Sequence, residues 1–326
     1  MGRSWLLPGA MALAFGAVAG CAAILGIDDG VPREGGAGDA GLEAAPDATA
    51  SDAADAGSPM CDVDAAFGAP TPFSKLNTPS QEAHGRLLPN ELTMVFQSNR
   101  DGGVGGVDVY TATRPTIGDT WSNITDLGTV DTLAADNDPA LSGDALTLYL
   151  SHAGEIYSAT RPTPTGTFGA PALLSAVNSA ATDFAPYALP DRSKLYLSSI
   201  RDSDAGVSSL FVASATDAGF SAASPVGGAG LGTGDNRFAA VTADDLVMYF
   251  ASNRGGTGTQ GGFDVFVATR ASTSVPFSAP RVVAEVSSGS DESADWISDD
   301  RCRLYFSSNR NLANGYDLYV ATKTPP

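Results

Sequence analysis

The residues best suited to chemistry are acidic or amide side chains that recur at matched positions along the chain. They stand fourteen residues before an aromatic or leucine marker, at Glu82, Asp136, Asp183, Asn236 and Glu292. In a closed repeat structure we expect these five side chains to form an axial ring at one mouth of the channel. A ring of carboxylates concentrates cations and basic peptides, and it holds a divalent ion where its oxygens converge. The alternative is that each carboxylate caps its own strand by accepting backbone N–H bonds.

The side chains that usually carry acid–base or nucleophilic catalysis are scarce. The chain has two histidines, His84 and His152, at non-equivalent positions of two different repeats. The sequence shows no Cys-His pairing, no zinc-ligand spacing and no phosphate-binding glycine loop. The glycine-rich runs at 102–106 and 255–258 lie between predicted strands and are interpreted as hairpin turns. The sequence therefore predicts neither an enzyme nor a cofactor.

Arginines that follow the markers predict ion pairs inside the repeats. A Ser-Asn-Arg turn is followed by an acidic residue in three copies, which suggests the pairs Arg100–Asp108, Arg254–Asp264 and Arg310–Asp317. A catalytic group is needed once, whereas these residues recur, so the pattern favours a structural role between adjacent strands. Each such pair, if exposed, adds little stability.

The elements that must position these residues follow from an internal repeat. Steps of 54, 47, 53 and 56 residues separate the five markers Phe96, Leu150, Leu197, Phe250 and Phe306. Each copy contains four short β-segments bounded by Gly, Pro, Asp and Asn. Apolar spacing of three and four residues, which a helical solenoid requires, is not seen. The repeat predicts an all-β fold, a β-propeller of five blades with four antiparallel strands each.

The runs Leu-Tyr-Phe-Ser-Ser-Asn-Arg at 304–310 and Asp-Leu-Tyr-Val-Ala-Thr at 317–322 resemble the WD-like propeller repeats of TolB-type periplasmic proteins. The resemblance covers residues 67–323 and implies the propeller fold, but it implies no activity because propellers have many functions. The second copy departs from the pattern, with Ser-His-Ala-Gly at 151–154 in place of Ser-Asn-Arg. The third copy has Ser209 where the other copies have an acidic residue.

The order of segments predicts how the ring closes. The repeat region begins at Phe67 with a segment typical of an outermost strand and ends at Lys323 after a third strand. The first segment can therefore complete the last blade and cover its edge. We expect a disulfide between Cys61 and Cys302 to fasten this closure, and the alternative is two free thiols.

The first 21 residues are interpreted as a signal peptide for export. Arg3 precedes an apolar run at 6–18, and Val18-Ala19-Gly20-Cys21 follows. The run is short for a membrane-spanning helix. The four residues resemble the bacterial lipoprotein signal, which implies acylation of Cys21 and anchoring in a membrane. The alternative is an ordinary secretory signal in which Cys21 is incidental.

Residues 22–66 are predicted to be a disordered acidic tether, and residues 67–326 the propeller domain. The tether has ten acidic residues between positions 28 and 64 against Arg33 alone, and the whole chain has a formal charge of −19. Without the tether's charges and Arg3, 27 acidic and 16 basic residues leave −11. A domain this acidic is not expected to bind nucleic acid or anionic headgroups directly.

Together these features predict an envelope lipoprotein of a Gram-negative bacterium, facing the periplasm or in the outer membrane. We interpret the propeller as a non-enzymatic, monomeric scaffold for an envelope protein or cell-wall partner. Two alternatives stay open: a glycan-acting hydrolase with axial carboxylates, and a cation-binding propeller. Trp296 and Phe238 are the aromatic residues expected to form a platform for a sugar or peptide.

Overall fold

The computed structural model describes residues 61–203, 205–311 and 315–325. These residues form five antiparallel sheets arranged as the blades of a propeller, which confirms the predicted fold. The predicted leader at 1–21 and all but the last six residues of the predicted tether lie outside the described residues. In the described part of the chain, no helix has the length and apolar character needed to cross a membrane.

Every blade contains three six- to eight-residue strands and a short outer segment. The innermost strands are β2 Glu82–Leu87, β6 Asp136–Leu141, β10 Asp183–Ala188, β15 Asn236–Val241 and β19 Glu292–Ile297. The second strands are β3 Thr93–Ser98, β7 Thr147–His152, β11 Lys194–Ser199, β16 Val247–Ser252 and β20 Arg303–Ser308. The third strands are β4 Asp108–Thr113, β8 Glu155–Thr160, β12 Ser209–Thr216, β17 Asp264–Thr269 and β21 Asp317–Thr322.

The outer segments are shorter and less regular. They are β1 Thr71–Pro72, β5 Ser122–Asp126, β9 Ala172–Leu173, β13 Gly219–Phe220, β14 Ser224–Pro225 and β18 Arg281–Val282. In the third blade β12 pairs with both β13 and β14, so this sheet has five strands. The other four sheets have four strands each. In the first, second and fourth blades the strands follow chain order from the inside outward, and in the fifth blade β1 is the outer strand beside β21.

The turn between the first and second strands of each blade has one local design. An Asp or Asn side chain accepts the backbone N–H two residues later, at Asn90, Asp144, Asp191, Asp244 and Asp300. The residue between them has φ near 60°, at Glu91, Ala145, Arg192, Asp245 and Arg301. Asp and Asn favour such turns because their side chains replace a backbone acceptor. The bond stabilises a backbone conformation that is otherwise costly for residues with a Cβ.

The core of each blade is built around its marker residue. The five markers are fully buried, and each lies opposite an aromatic residue of the third strand, as Phe96 lies opposite Tyr110. In three blades the two rings stack, with centroids 5.5–6.1 Å apart. Burial of one such side chain contributes about 1.5–3 kcal/mol. A single sheet cannot bury residues on both of its faces, so the blades must pack side by side.

The ring closes at the fifth blade. β1 pairs with β21 in antiparallel register, with Thr71 opposite Val320, and an isolated bridge joins Phe67 to Lys323. Cys61 and Cys302 form a disulfide in the structure, and both residues are buried. The N-terminal segment therefore supplies the outer strand of the last blade, and a covalent bond fastens it to the second strand region of the same blade.

Replacing both cysteines, in the variant Cys61→Ser/Cys302→Ser, should lower the free energy of unfolding by about 2–5 kcal/mol. The disulfide joins residues 241 apart, so its loss restores much conformational entropy to the unfolded chain. Urea denaturation followed by circular dichroism measures the difference. The native spectrum should be unchanged, because β1 still pairs with β21. Equal denaturation midpoints for variant and wild type would contradict this assignment.

Candidate functional site

The five residues of the predicted axial ring are held by hydrogen bonds to the connections that precede their strands. Each begins an innermost strand, and all five have at most 1% of their surface exposed. The Glu82 carboxylate accepts hydrogen bonds from the backbone N–H and the hydroxyl of Thr78, both at 2.7 Å, and from Ser98 Oγ at 3.0 Å. Asp136, Asp183 and Glu292 are bonded in the same way to the connection that precedes them. These residues cap their own blades, and the ring prediction is corrected accordingly.

The arginine pairs also differ from the prediction. Arg100 and Arg310 pair with the inner-strand residues Glu82 and Glu292, at 3.1 and 3.2 Å, and Arg254 donates to Asn236 Oδ1 at 2.6 Å. The expected partners make other contacts: Asp108 accepts the Gly105 N–H, Asp264 accepts the Gln260 N–H, and Asp317 accepts from Asn311. The guanidinium bends back over the end of the second strand because its Nε also donates to the serine two residues earlier.

The residues that do reach the propeller axis lie two or three positions after these capping groups. His84, Asp138, Ala185 and Phe238 have φ between 53° and 56°. In each case the backbone N–H donates to a side chain on the second strand of the preceding blade: Ser307, Gln97, Ser151 and Ser198 respectively. This inter-blade hydrogen bond fixes the bulge in each inner strand, where the register between first and second strands shifts.

The pattern breaks between the fourth and fifth blades. The second-strand position that supplies the acceptor elsewhere is Ala251, opposite Arg237, and alanine has no side-chain acceptor. The fifth inner strand has its bulge between Ala294 and Trp296 instead, and there Asp295 is buried. The missing bond leaves space at this junction.

A cavity of 230 Å³ occupies that junction, on the face where the inner strands begin. We call it the axial cavity. Its walls include His84, Arg237, Phe238, Phe263 and Tyr316. The Arg237 guanidinium lies 4.8 Å from the Phe263 ring centroid, and the His84 and Phe238 rings are 4.3 Å apart. The cavity therefore combines one partly exposed cation and aromatic faces with the carboxylates of Asp291 and Glu292, which suits a polar ligand with an apolar part.

A charged network lies behind the cavity on the axis. His84 Nδ1 is 2.6 Å from Asp138 Oδ1. Burial opposes the charge on both groups, but their mutual attraction outweighs it, so the pKa of His84 is raised and the pKa of Asp138 is lowered. Asp295 accepts hydrogen bonds from Ser293 and Ser307, yet burial raises the pKa of Asp295 to about 6. The pair thus favours a protonated imidazole beside an ionised carboxylate.

Arg86 completes the axial network. Its side chain is almost fully buried above the Tyr187 ring, with the guanidinium carbon 5.3 Å from the ring centroid. Burial lowers the pKa of Arg86, which the nearby charges of Asp138 and Asp295 oppose. No nitrogen of this guanidinium donates a hydrogen bond to another described group.

Sequence reasoning identified part of this site. It named Phe238 as a platform residue, and Phe238 lines the axial cavity together with His84. Trp296, the other expected platform, is buried and packs edge-on against Tyr305 with ring centroids 5.6 Å apart. Arg237, Asp138, Asp295 and Arg86 were missed. The signal that could have found them is non-repetition, since each is a charged residue at a position where most other repeats have an uncharged one.

Solved structures with a similar fold include TolB proteins and glycoside hydrolases. TolB from Acinetobacter baumannii is 12% identical, with a TM-score of 0.42, over 76% of this chain and 55% of the TolB chain. RS223-β-xylosidase is 12% identical, with a TM-score of 0.50, over 78% of this chain and 94% of the xylosidase. The α-L-arabinofuranosidase PaAbf62A from Podospora anserina is 12% identical, with a TM-score of 0.49, over 82% of this chain and 99% of its own.

The chain thus spans about half the length of that TolB protein and nearly all of the two hydrolases. Comparison with protein-family models and with curated protein sequences gives no match. At these identities the likeness concerns the fold alone. Propellers have many unrelated functions, so the fold does not choose between binding and hydrolysis.

The variant His84→Gln should lower the free energy of unfolding by about 3 kcal/mol near pH 6, because it removes the imidazole that pairs with the buried Asp138 carboxylate. A raised folded-state pKa means that the stability from His84 is fully present below its unfolded pKa, about 6.5, and is lost as pH rises through the folded value. Because the pKa of Asp138 is lowered, its contribution to the free energy of unfolding is present above about pH 4. The difference between the two proteins should therefore be largest between about pH 4 and 6.5 and shrink above.

Urea titrations of both proteins at a series of pH values measure this difference. The contributions of groups that titrate alike in both proteins cancel when the two free energies of unfolding are subtracted. The double variant His84→Gln/Asp138→Asn gives the coupling between the two side chains. A difference that grows as pH rises above 6.5 would show that His84 is not charged in the folded protein.

Proposed function

We propose that this protein is a non-enzymatic binding propeller of the bacterial envelope, anchored to a membrane through acylated Cys21. Its partner would be an envelope protein or a cell-wall component that inserts a carboxylate and a neighbouring apolar group into the axial cavity. The observation that carries the proposal is the composition of that cavity, in which Arg237 lies between aromatic faces at the one junction where the inter-blade bond is missing.

The guanidinium is suited to this role because it is partly held and partly free. Asp235 pairs with one side of Arg237, and the arginine side chain keeps about a third of its surface exposed, 34%. Its ring contacts with Phe263 and Phe184, at 4.8 and 5.9 Å, hold the planar group in place. Arginine held in one orientation binds carboxylates with less loss of side-chain entropy. His84, whose pKa is raised beside Asp138, is a second titratable group in the cavity wall.

The axial carboxylates are poorly placed for hydrolysis. Glycoside hydrolysis needs two carboxyl groups that face the scissile bond from opposite sides. Asp138 is 4% exposed and paired with His84, and Asp295 is 1% exposed and bonded to two serines. Their contacts are made within the protein, which supports a structural role for both carboxylates.

One observation favours the hydrolase as a second candidate. The surroundings of Asp138 and Asp295 move their pKa values in opposite directions, and such a divergence is typical of an acid and base pair. If the network opens when a glycan binds, Asp295 would be the acid. Release of reducing sugar from arabinoxylan or peptidoglycan that is abolished in Asp295→Asn would establish this function and exclude the binding proposal.

A photoreactive residue introduced at position 263, on the rim of the axial cavity, should crosslink one discrete partner in intact cells. The same residue at the exposed position 272, in the connection from β17 to β18, is the matched control and should give no such product. Arg237→Gln should reduce the yield at position 263 about tenfold, since a charge-assisted hydrogen bond is worth about 1.5–3 kcal/mol. Equal products at both positions, or a yield unaffected by Arg237→Gln, would count against the cavity as the binding site.

Cys21 should carry the lipid. Cells fed an alkyne fatty acid should label the wild-type protein, and the label should disappear in Cys21→Ser, which should also leave the membrane fraction or remain unprocessed. Two acyl chains suffice for stable anchoring. Labelling that persists in Cys21→Ser, or unlabelled protein cleaved at another residue, would favour the ordinary secretory signal.

A further inference from the structure

The junction between the first and second blades contains an acidic cluster outside the axial cavity. Asp108 begins β4, Asp131 lies in the connection from β5 to β6, and Asp136 begins β6. Each residue offers one carboxylate oxygen, and these three oxygens all lie within 4.8 Å of one another. Asp108 and Asp136 are buried and Asp131 is half-buried. Carboxylates this close repel one another unless a positive charge joins them.

The repeat provides an internal comparison for this cluster. Three positions meet at every junction: the start of a third strand, the residue five before the next inner strand, and the start of that inner strand. At the other four junctions they are Asp317, Asn77 and Glu82; Glu155, Asn178 and Asp183; Ser209, Leu231 and Asn236; and Asp264, Ser287 and Glu292. Among the described residues, the first junction alone has a carboxylate at all three.

The middle position shows what has changed. Asn77 accepts the Leu318 N–H and donates its Nδ2 to the Leu318 carbonyl at 3.0 Å. Asn178 makes the same two bonds to Ile156. Asp131 accepts the Val109 N–H at 2.9 Å but has no amide hydrogen to give. Its Oδ2 is inaccessible to solvent and accepts no hydrogen bond from the described residues, and burial together with the neighbouring Asp126 carboxyl raises the pKa of Asp131.

The neutralising arginine is also missing at this junction. Arginines four residues after the markers contact the inner-strand residue in the other copies: Arg100, Arg201, Arg254 and Arg310. Gly154 stands at the matching place in the second copy. His152 Nδ1 lies 3.0 Å from Asp136 Oδ1, and that buried oxygen has no other donor among the described residues.

Both changes make the junction more negative. At the junctions of Glu82 and Asp183, two carboxylates and one guanidinium give a formal charge of −1, whereas three carboxylates without arginine give −3 at the first junction with His152 neutral and −2 with His152 protonated. The deficit is one or two positive charges. We propose that Asp108, Asp131 and Asp136 bind one divalent cation of the calcium type. Calcium accepts carboxylate and carbonyl oxygens in flexible geometry, whereas magnesium demands a regular octahedron and keeps its waters.

The neighbouring glycine-rich loop is shaped to cover the cluster. A Cβ at Gly103 would lie 1.8 Å from Asp108 Oδ2, and a Cβ at Gly105 would lie 2.4 Å from the Thr132 carbonyl oxygen. The loop therefore approaches both walls of the cluster so closely that side chains are excluded.

The test is calcium-dependent thermal stability of the full chain after treatment with EDTA and dialysis. With calcium chloride at 100 times the dissociation constant, the melting temperature of the wild type should rise by about 5–10 °C. The variant Asp131→Asn restores the residue used at two other junctions. It should therefore melt no lower than the calcium-free wild type and should lose the calcium response.

Glu155→Gln, at the position of the next junction that matches Asp108, is the control and should keep the full response. The melting temperature reports binding to the folded state, so weak association of calcium with the acidic segment at 28–64 does not mimic it. A wild type whose melting temperature is unaffected by millimolar calcium would overturn the proposal and favour a proton as the missing charge. So would an Asp131→Asn variant that responds as fully as the wild type.

Discussion

The structure depends on the fact that no blade can bury both of its faces alone. Each sheet places a marker such as Phe96 in a core that its own strands and its neighbours complete. The sheets must therefore form a ring, and the ring needs one joint at which the two ends of the propeller meet. The pairing of β1 with β21 is that joint, and it removes the sheet edge that an open array would expose. Everything on the axis is held in place by this closure.

Much of the fold could be predicted from sequence because its determinants are local and repeated. Alternating apolar residues, turn-forming Asp and Asn, and aromatic markers recur at each blade, and every copy repeats the same information. The placement of the capping residues could not be predicted. Glu82 and His84 are two residues apart, and an ideal strand would place both on one face. The bulge between Ala83 and Arg86 separates them, so that Glu82 caps the blade and His84 reaches the axis.

The partners of the arginines escaped prediction for a related reason. Sequence distance favoured Asp108 for Arg100, but the second strand ends beside the start of the first, and Ser98 turns the guanidinium toward Glu82. What is unique on the axis was visible in the sequence only as departures from the repeat. Ala251 in place of a polar residue marks the axial cavity, and Gly154 with Asp131 marks the acidic junction. In a molecule with near five-fold symmetry, the exceptions are better indicators of binding than the rule.

The disulfide has a mechanical consequence. Any tension on the chain before Cys61 passes directly through a covalent bond to Cys302, beside the start of β20. The two-residue pairing of β1 with β21 then carries none of that load. An edge strand this short would otherwise peel away first, one hydrogen bond at a time. The force enters next to β20, which has a neighbouring strand on each side, so the whole propeller resists the pulling force.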